Sequence, residues 1–198
     1  MAHAHRRGRH HRRRQPLRTA AGPDRGSRPV NRRSELLYGT VCGLFMSGWT
    51  LAEFALGFHT TSIEAGRYTG FVSFLFPVVF IGTALHDRQK AAGSPLPWLE
   101  GITTGFRIAF FAALFFTVFM TFYTLIINPG WLDATADWQR REFIRSGATD
   151  DEIGRFMEQQ RQVNGPMARF IMGFIGATGL GVLVTLIEIP LLRLMARR

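Results

Sequence analysis

Four long apolar blocks alternate with polar stretches along the chain, running from Leu36 to Phe58, Tyr68 to Leu85, about Gly101 to Ile127 and about Met167 to Leu192. A helix that crosses a bilayer takes roughly 20 predominantly apolar residues, about 30 Å at 1.5 Å per residue. Each block therefore predicts one span, although the second is a little short. Polar or helix-breaking clusters bound them: His59-Thr60-Thr61-Ser62, His86-Asp87-Arg88, Asn128-Pro129-Gly130 and Asn164-Gly165-Pro166. A barrel strand would alternate apolar and polar residues, whereas Phe110-Phe111-Ala112-Ala113-Leu114-Phe115-Phe116 is apolar on every side. The pattern predicts an all-α, polytopic membrane protein with four transmembrane helices. A short helical extracytoplasmic loop, residues 128–166, separates the third from the fourth. Pro77 should kink the second span by removing a backbone donor.

Composition changes this picture through the distribution of charge. Of 24 Lys and Arg, 11 lie in the first 35 residues beside only Asp24 and Glu35, so the formal net charge of +10 resides almost wholly in a tail. The rest of the chain is nearly balanced. This excludes a basic nucleic-acid-binding fold, and nucleic acid is not an expected partner. The single cysteine, Cys42, excludes a disulfide-stapled secreted domain. Arginine and lysine accumulate on the cytoplasmic side of membrane proteins. The tail, Arg88, Lys90, Arg193, Arg197 and Arg198 fall on one side of the predicted topology. Arg67, Arg140, Arg141, Arg145, Arg155, Arg161 and Arg169 fall on the other. Both termini are thus expected in the cytoplasm, and the long basic lead argues against a cleaved signal peptide.

Residues 1–34 combine Arg, His, Gly and Pro with almost no large apolar side chain, a composition expected to stay disordered. Their expected partner is anionic lipid headgroups, each basic residue contributing about 1 kcal/mol near the surface. His3, His5, His10 and His11 offer at most a loose metal site; no cofactor and no metal site is expected. The loop between the third and fourth spans predicts two short helices. One covers about Asp133 to Ser146 and ends at Gly147. The other opens with the capping box Thr149-Asp150-Asp151-Glu152 and carries Ile153, Phe156, Met157, Gln160 and Val163 on one face. That face suits packing on its own bundle, the headgroup layer or a partner.

From about Glu35 onward the chain resembles the four-span bacterial membrane proteins of domain-of-unknown-function family 4199. The likeness rests on Leu37-Tyr38-Gly39 to Gly43 and on Trp98-Leu99-Glu100-Gly101-Ile102-Thr103-Thr104-Gly105-Phe106. It continues in Asn128-Pro129-Gly130-Trp131-Leu132 and Gly147-Ala148-Thr149-Asp150-Asp151-Glu152-Ile153. It implies the topology and a home in the bacterial cytoplasmic (inner) membrane. It implies no activity and no catalytic residues.

Lipid offers no hydrophobic drive for helices to associate, so small residues and polar contacts must supply it. Small residues recur every four positions at Gly39, Gly43 and Ser47, at Gly101, Gly105, Ala109 and Ala113, and at Gly173, Ala177 and Gly181. These seams suit either the inside of the bundle or an oligomer face. Ionisable groups within spans are costly and mark candidate sites. Arg107 and Glu188 are expected at similar depth, where they could pair. Glu53 lies near the outer end of the first span and reads first as a hydrogen-bonded structural carboxyl, with a proton- or cation-handling group as the alternative. Arg67 is the nearest possible counter-charge, and His59, Tyr68 and Tyr123 lie near the same boundary. No catalytic constellation is present. The first expectation is a structural or accessory bundle that assembles with itself or a membrane-protein partner. The alternative is a small transporter or channel using Glu53, Arg67, Arg107 and Glu188; an enzyme is the least expected class.

Overall fold

The computed structural model describes residues 32–163 and 165–195. The tail histidines, Asn164, Arg197 and Arg198 lie outside the described residues. Within them the chain is helical throughout, with no strand. The helices are α1 (Arg32–Ala55), α2 (Ile63–Thr69), α3 (Leu75–Ala92), α4 (Trp98–Phe122), α5 (Trp131–Arg145), α6 (Asp150–Val163) and α7 (Pro166–Met195). A 3-10 segment, Gly70–Phe74, joins α2 to α3, and a π turn, Tyr123–Ile127, extends α4.

Three helical stretches are long and apolar enough to cross a membrane: Ile63–Ala92, Trp98–Ile127 and Pro166–Met195. The first predicted span corresponds to α1, 24 residues long. Its apolar content is diluted by Gly39, Thr40, Gly43, Ser47, Gly48, Thr50 and Glu53. Several of these are contact residues: Gly39, Gly43, Ser47, Thr50 and Glu53 are all buried.

The second stretch runs past both ends of its apolar block. It continues through His86-Asp87-Arg88 and stops at Gly93, which takes φ +63° and returns its N–H to the carbonyls of Gln89 and Lys90. Only glycine adopts this left-handed end without steric cost. The helix continues because partners on other helices satisfy its polar residues: Asp87 accepts from Tyr38, and Arg88 reaches Glu35 and Glu100. Pro77 sits third in α3, directly after the 3-10 segment. The irregularity expected of proline is therefore a tightened turn upstream of it, where its missing N–H is tolerated.

Helix α4 packs along both α1 and α7, and α3 closes the group by packing on α1 and α7. Glycine decides how closely they approach. A Cβ on Gly43 would lie 2.9 Å from the Ala112 carbonyl oxygen and 2.8 Å from the Phe115 Cβ. One on Gly39 would lie 2.7 Å from the Ile108 carbonyl oxygen. Gly101 and Gly105 meet Ile189 and Thr185 of α7, while Gly181 meets Ala109 of α4. Gly173 has only ordinary contact, with Thr117 Cγ2 at 3.7 Å, and Gly176 and Gly179 have no neighbour within 4 Å among the described residues. The core under these contacts holds Ile81, Leu85, Ile108, Ala109, Val184 and Ile189, with Cys42, Met46 and Ala112 beside it.

The loop helices lie on each other through Phe143 and Phe156, whose ring centroids are 4.7 Å apart, and through Gln160 donating to Gln139. Thr149 and Glu152 form the reciprocal cap. The Thr149 N–H and Oγ1 both reach Glu152 Oε2, at 2.8 and 2.9 Å, and the Glu152 N–H returns to Thr149 Oγ1. These bonds hold the fully exposed Glu152 carboxyl below its ordinary titration range.

Overpacking a tight site costs about 1–3 kcal/mol. Gly43→Ala should therefore lower the apparent melting temperature of detergent-solubilised protein by several degrees, whereas Gly176→Ala should leave it unchanged.

Candidate functional site

Two networks of ionisable and polar residues lie near opposite ends of α1 and α4. Glu35, in the first turn of α1, is 3% exposed. Its Oε1 accepts from Arg88 Nη1 of α3 at 2.5 Å, and its Oε2 accepts from Arg107 Nη1 of α4 at 3.1 Å. Thr104 of α4 joins by accepting from Arg88 Nη1 at 2.7 Å and donating to Glu35 at 3.3 Å. Arg88 Nε also donates to Glu100 Oε1 at 3.0 Å. One buried carboxylate thus ties three helices together.

The expected pairing of Arg107 with Glu188 is not formed. Glu188 faces α3, where its Oε1 would lie 2.8 Å from a Cβ on Gly82, and its buried Oε2 has no hydrogen-bond partner. The physical reason is azimuth. Gly101, Gly105 and Ala109 turn toward α7, and Arg107 stands two residues from Gly105, about 200° around the helix at 3.6 residues per turn.

The second network surrounds Glu53, 4% exposed. Thr69 Oγ1 donates to Glu53 Oε1 at 2.6 Å, and Trp49 Nε1 donates to the Thr69 carbonyl at 3.2 Å. Glu53 Oε2 lies 3.6 Å from His59 Nε2. His59 Nδ1 is 2.6 Å from the hydroxyl of Tyr123, a fully buried residue whose oxygen also accepts from Asn128 Nδ2 at 3.1 Å. A Tyr123 O–H donating to Nδ1 leaves the Nε2 proton of a neutral imidazole for Glu53. The rings of Trp131 and Phe54 pack around this chain, near His59 and Tyr123 respectively. Arg67, the nearest possible counter-charge by sequence, is not in the network, and Glu53 is a hydrogen-bonded carboxyl. It is exposed and lies over the rings of Tyr68 and Trp138. Thr69, two residues on, takes the place beside Glu53.

Burial holds the His59 imidazole below its ordinary range, and Glu53 offsets this only in part. Chemically the arrangement is a carboxylate–imidazole–phenol relay, sealed under aromatic rings, that can hold or pass a proton. Among the described residues no group of three or more His, Cys, Asp or Glu side chains is placed to hold a metal ion.

The openings outlined by the described residues include three. One is a broad groove between the turn after α1 and α5, about 630 Å³, with Glu64, Tyr68, Trp138 and Arg141 on its walls. A second, about 220 Å³, lies between α4 and α7. A third is a shallow surface on α1 and α3 near Phe45 and Phe76. None of the three is lined by Glu35, Glu53 or Glu188. The charge pattern alone left Glu35 among the tail charges and Arg88 as a loop cation. The available signal was Glu35, Gly39 and Gly43 at four-residue spacing, which puts the carboxylate on the seam.

Removing one partner from a buried ion pair costs about 3–5 kcal/mol, against at most about 1 kcal/mol for an exposed pair. The Arg107 side chain is 40% exposed, which moderates the first figure. Glu35→Ala should still destabilise the detergent-solubilised protein much more than Glu100→Ala, measured by thermal unfolding. His59 has a lower proton affinity folded than unfolded, so the unfolded state takes up the extra proton on acidification. Stability should be full above the ordinary imidazole value of 6.5 and fall as pH drops through and below it. Thermal unfolding of His59→Gln between pH 7.5 and 5 should lack that component.

The family model described as "Protein of unknown function (DUF4199)" matches residues 37–188. No curated protein and no solved structure gives a significant match. The match spans most of the chain, taking in the network around Glu53 and, of the other, Arg88, Thr104 and Arg107 but not Glu35, and the chain belongs to the DUF4199 family.

Proposed function

We propose that this protein is a four-span protein of the bacterial cytoplasmic membrane, in which α1 is the additional span and both termini face the cytoplasm. Its role is that of a structural or accessory bundle that assembles with itself or with a membrane-protein partner. Support for α1 as a span comes from its exposed apolar face, Leu37, Leu44, Phe45 and Leu51, opposite buried Gly39, Gly43 and Met46. The arginine and lysine bias supports the orientation. On this reading the basic tail, residues 1–34, meets anionic headgroups.

The observation that carries the accessory role is the pairing of charge. Glu35 is held by Arg88 and Arg107, and Glu53 by Thr69 and His59. Partnered groups of this kind fix helix register. The exposed glycines Gly176 and Gly179 on α7 supply a close-approach surface for another helix. A small transporter or channel is the second reading. It is favoured by Glu188, whose buried Oε2 has no hydrogen-bond partner.

Reporter fusions at residue 90 and residue 150 should land in opposite compartments, the first cytoplasmic. In a Cys42→Ala background, Gly176→Cys should give a disulfide-linked species in oxidised membranes, while proteoliposomes should hold an imposed pH gradient. Dissipation of that gradient by the wild type but not by Glu188→Gln would replace this reading with the transporter.

A further inference from the structure

Between α4 and the first turns of α7, beside the start of α5, lies a cavity of about 220 Å³. Its walls include Thr117, Met120, Trp131, Phe170 and Gly173, and Arg169 is the one charged residue among the described residues that line it. Arg169 Nε and Nη1 are buried and have no hydrogen-bond partner. Two nearby hydroxyls are already committed as donors to backbone carbonyls, Thr121 to Thr117 and Thr124 to Met120. A guanidinium with unmet donors in an apolar surround carries a desolvation penalty that a bound anion would relieve. Arg169 also stands in the first turn of α7, which contains no acidic residue. A cation there opposes the positive end of the helix dipole, so an anion would ease both terms.

Volume and lining narrow the ligand. The cavity is smaller than the roughly 300–1,000 Å³ that encloses a drug-sized molecule. It can take a small anionic head with its adjoining carbons. We propose that this cavity binds an anionic amphiphile. A lipid phosphate or carboxylate pairs with Arg169, and the first part of an acyl chain runs past Met120, Phe170 and Gly173. The proposal rests on the membrane reading above.

The test is native mass spectrometry of the full-length protein in detergent, titrated with phosphatidylglycerol, phosphatidylcholine or inorganic phosphate. Wild type should retain one phosphatidylglycerol in preference to phosphatidylcholine. Arg169→Gln should weaken that binding about tenfold or more, as expected for charge-assisted hydrogen bonds. Arg169→Lys should keep part of it, and Arg140→Gln, at an exposed position on α5, should leave it unchanged. Gly173→Leu fills the cavity and should also expel the lipid; it keeps the test open where Arg169→Gln fails to fold. Equal retention of both lipids, or unchanged binding in both Arg169→Gln and Gly173→Leu, would overturn the proposal. So would binding of inorganic phosphate with no lipid retained. The measurement uses purified protein and is independent of orientation, so a failed topology experiment would overturn the topology and leave this result standing.

Discussion

A single carboxylate, Glu35, accepts guanidinium protons from two different helices, Arg88 of α3 and Arg107 of α4. In water such a contact would add little. In the low-dielectric end of a bundle it is directional and hard to exchange, because each arginine would otherwise lose its anion. It fixes the rotation of α1, α3 and α4 about their own axes. Once that rotation is set, Gly39 and Gly43 must face α4, being four and eight residues beyond Glu35 on the same helical stripe. The ionic contact and the close backbone approach therefore require each other.

Helix α4 shows how the sequence serves two neighbours at once. Gly101, Gly105 and Ala109 meet α7, while Thr104, Ile108 and Ala112 meet Glu35, Gly39 and Gly43 of α1. Each set repeats every four residues, and they are offset by three residues, or about 60°. Small residues in both let two helices approach one backbone. The large side chains of the same helix, such as Phe115, Val118 and Phe122, remain exposed. Lipid, not protein, is the natural surrounding for that face.

Helix content, the Gly147 end of α5 and the Thr149–Glu152 cap were legible in the sequence because each depends on local spacing. Pairing was not, because it depends on azimuth between helices. Arg107 and Glu188 are on neighbouring helices but point in different directions. Arg67 and Thr69 differ by two residues, and the arginine lost to the threonine for the same reason. Taking Gly101–Gly105–Ala109 as the face toward α7 turns Arg107 away from α7, and Glu35 then becomes the nearest acid on the α1 stripe. His59 and Tyr123 are 64 residues apart. Nothing local joins them, and their contact follows only from how α1 and α4 end together.

Where ionisable groups inside the helices are partnered, they stabilise the bundle; where they are not, something else must meet them. Glu188 and Arg169 both sit on α7 with buried polar atoms lacking hydrogen-bond partners. They are 19 residues apart in sequence, about 28 Å along a helix at 1.5 Å per residue, so neither can neutralise the other. The same helix presents Gly176 and Gly179 to its surroundings and packs loosely at Gly173. Helices α1, α3 and α4 direct their ionic groups at one another, whereas α7 leaves donor, acceptor and backbone surface unclaimed. On the proposed reading, interaction with lipid or with another protein is concentrated on α7, and the remaining helices form the scaffold that holds it in place.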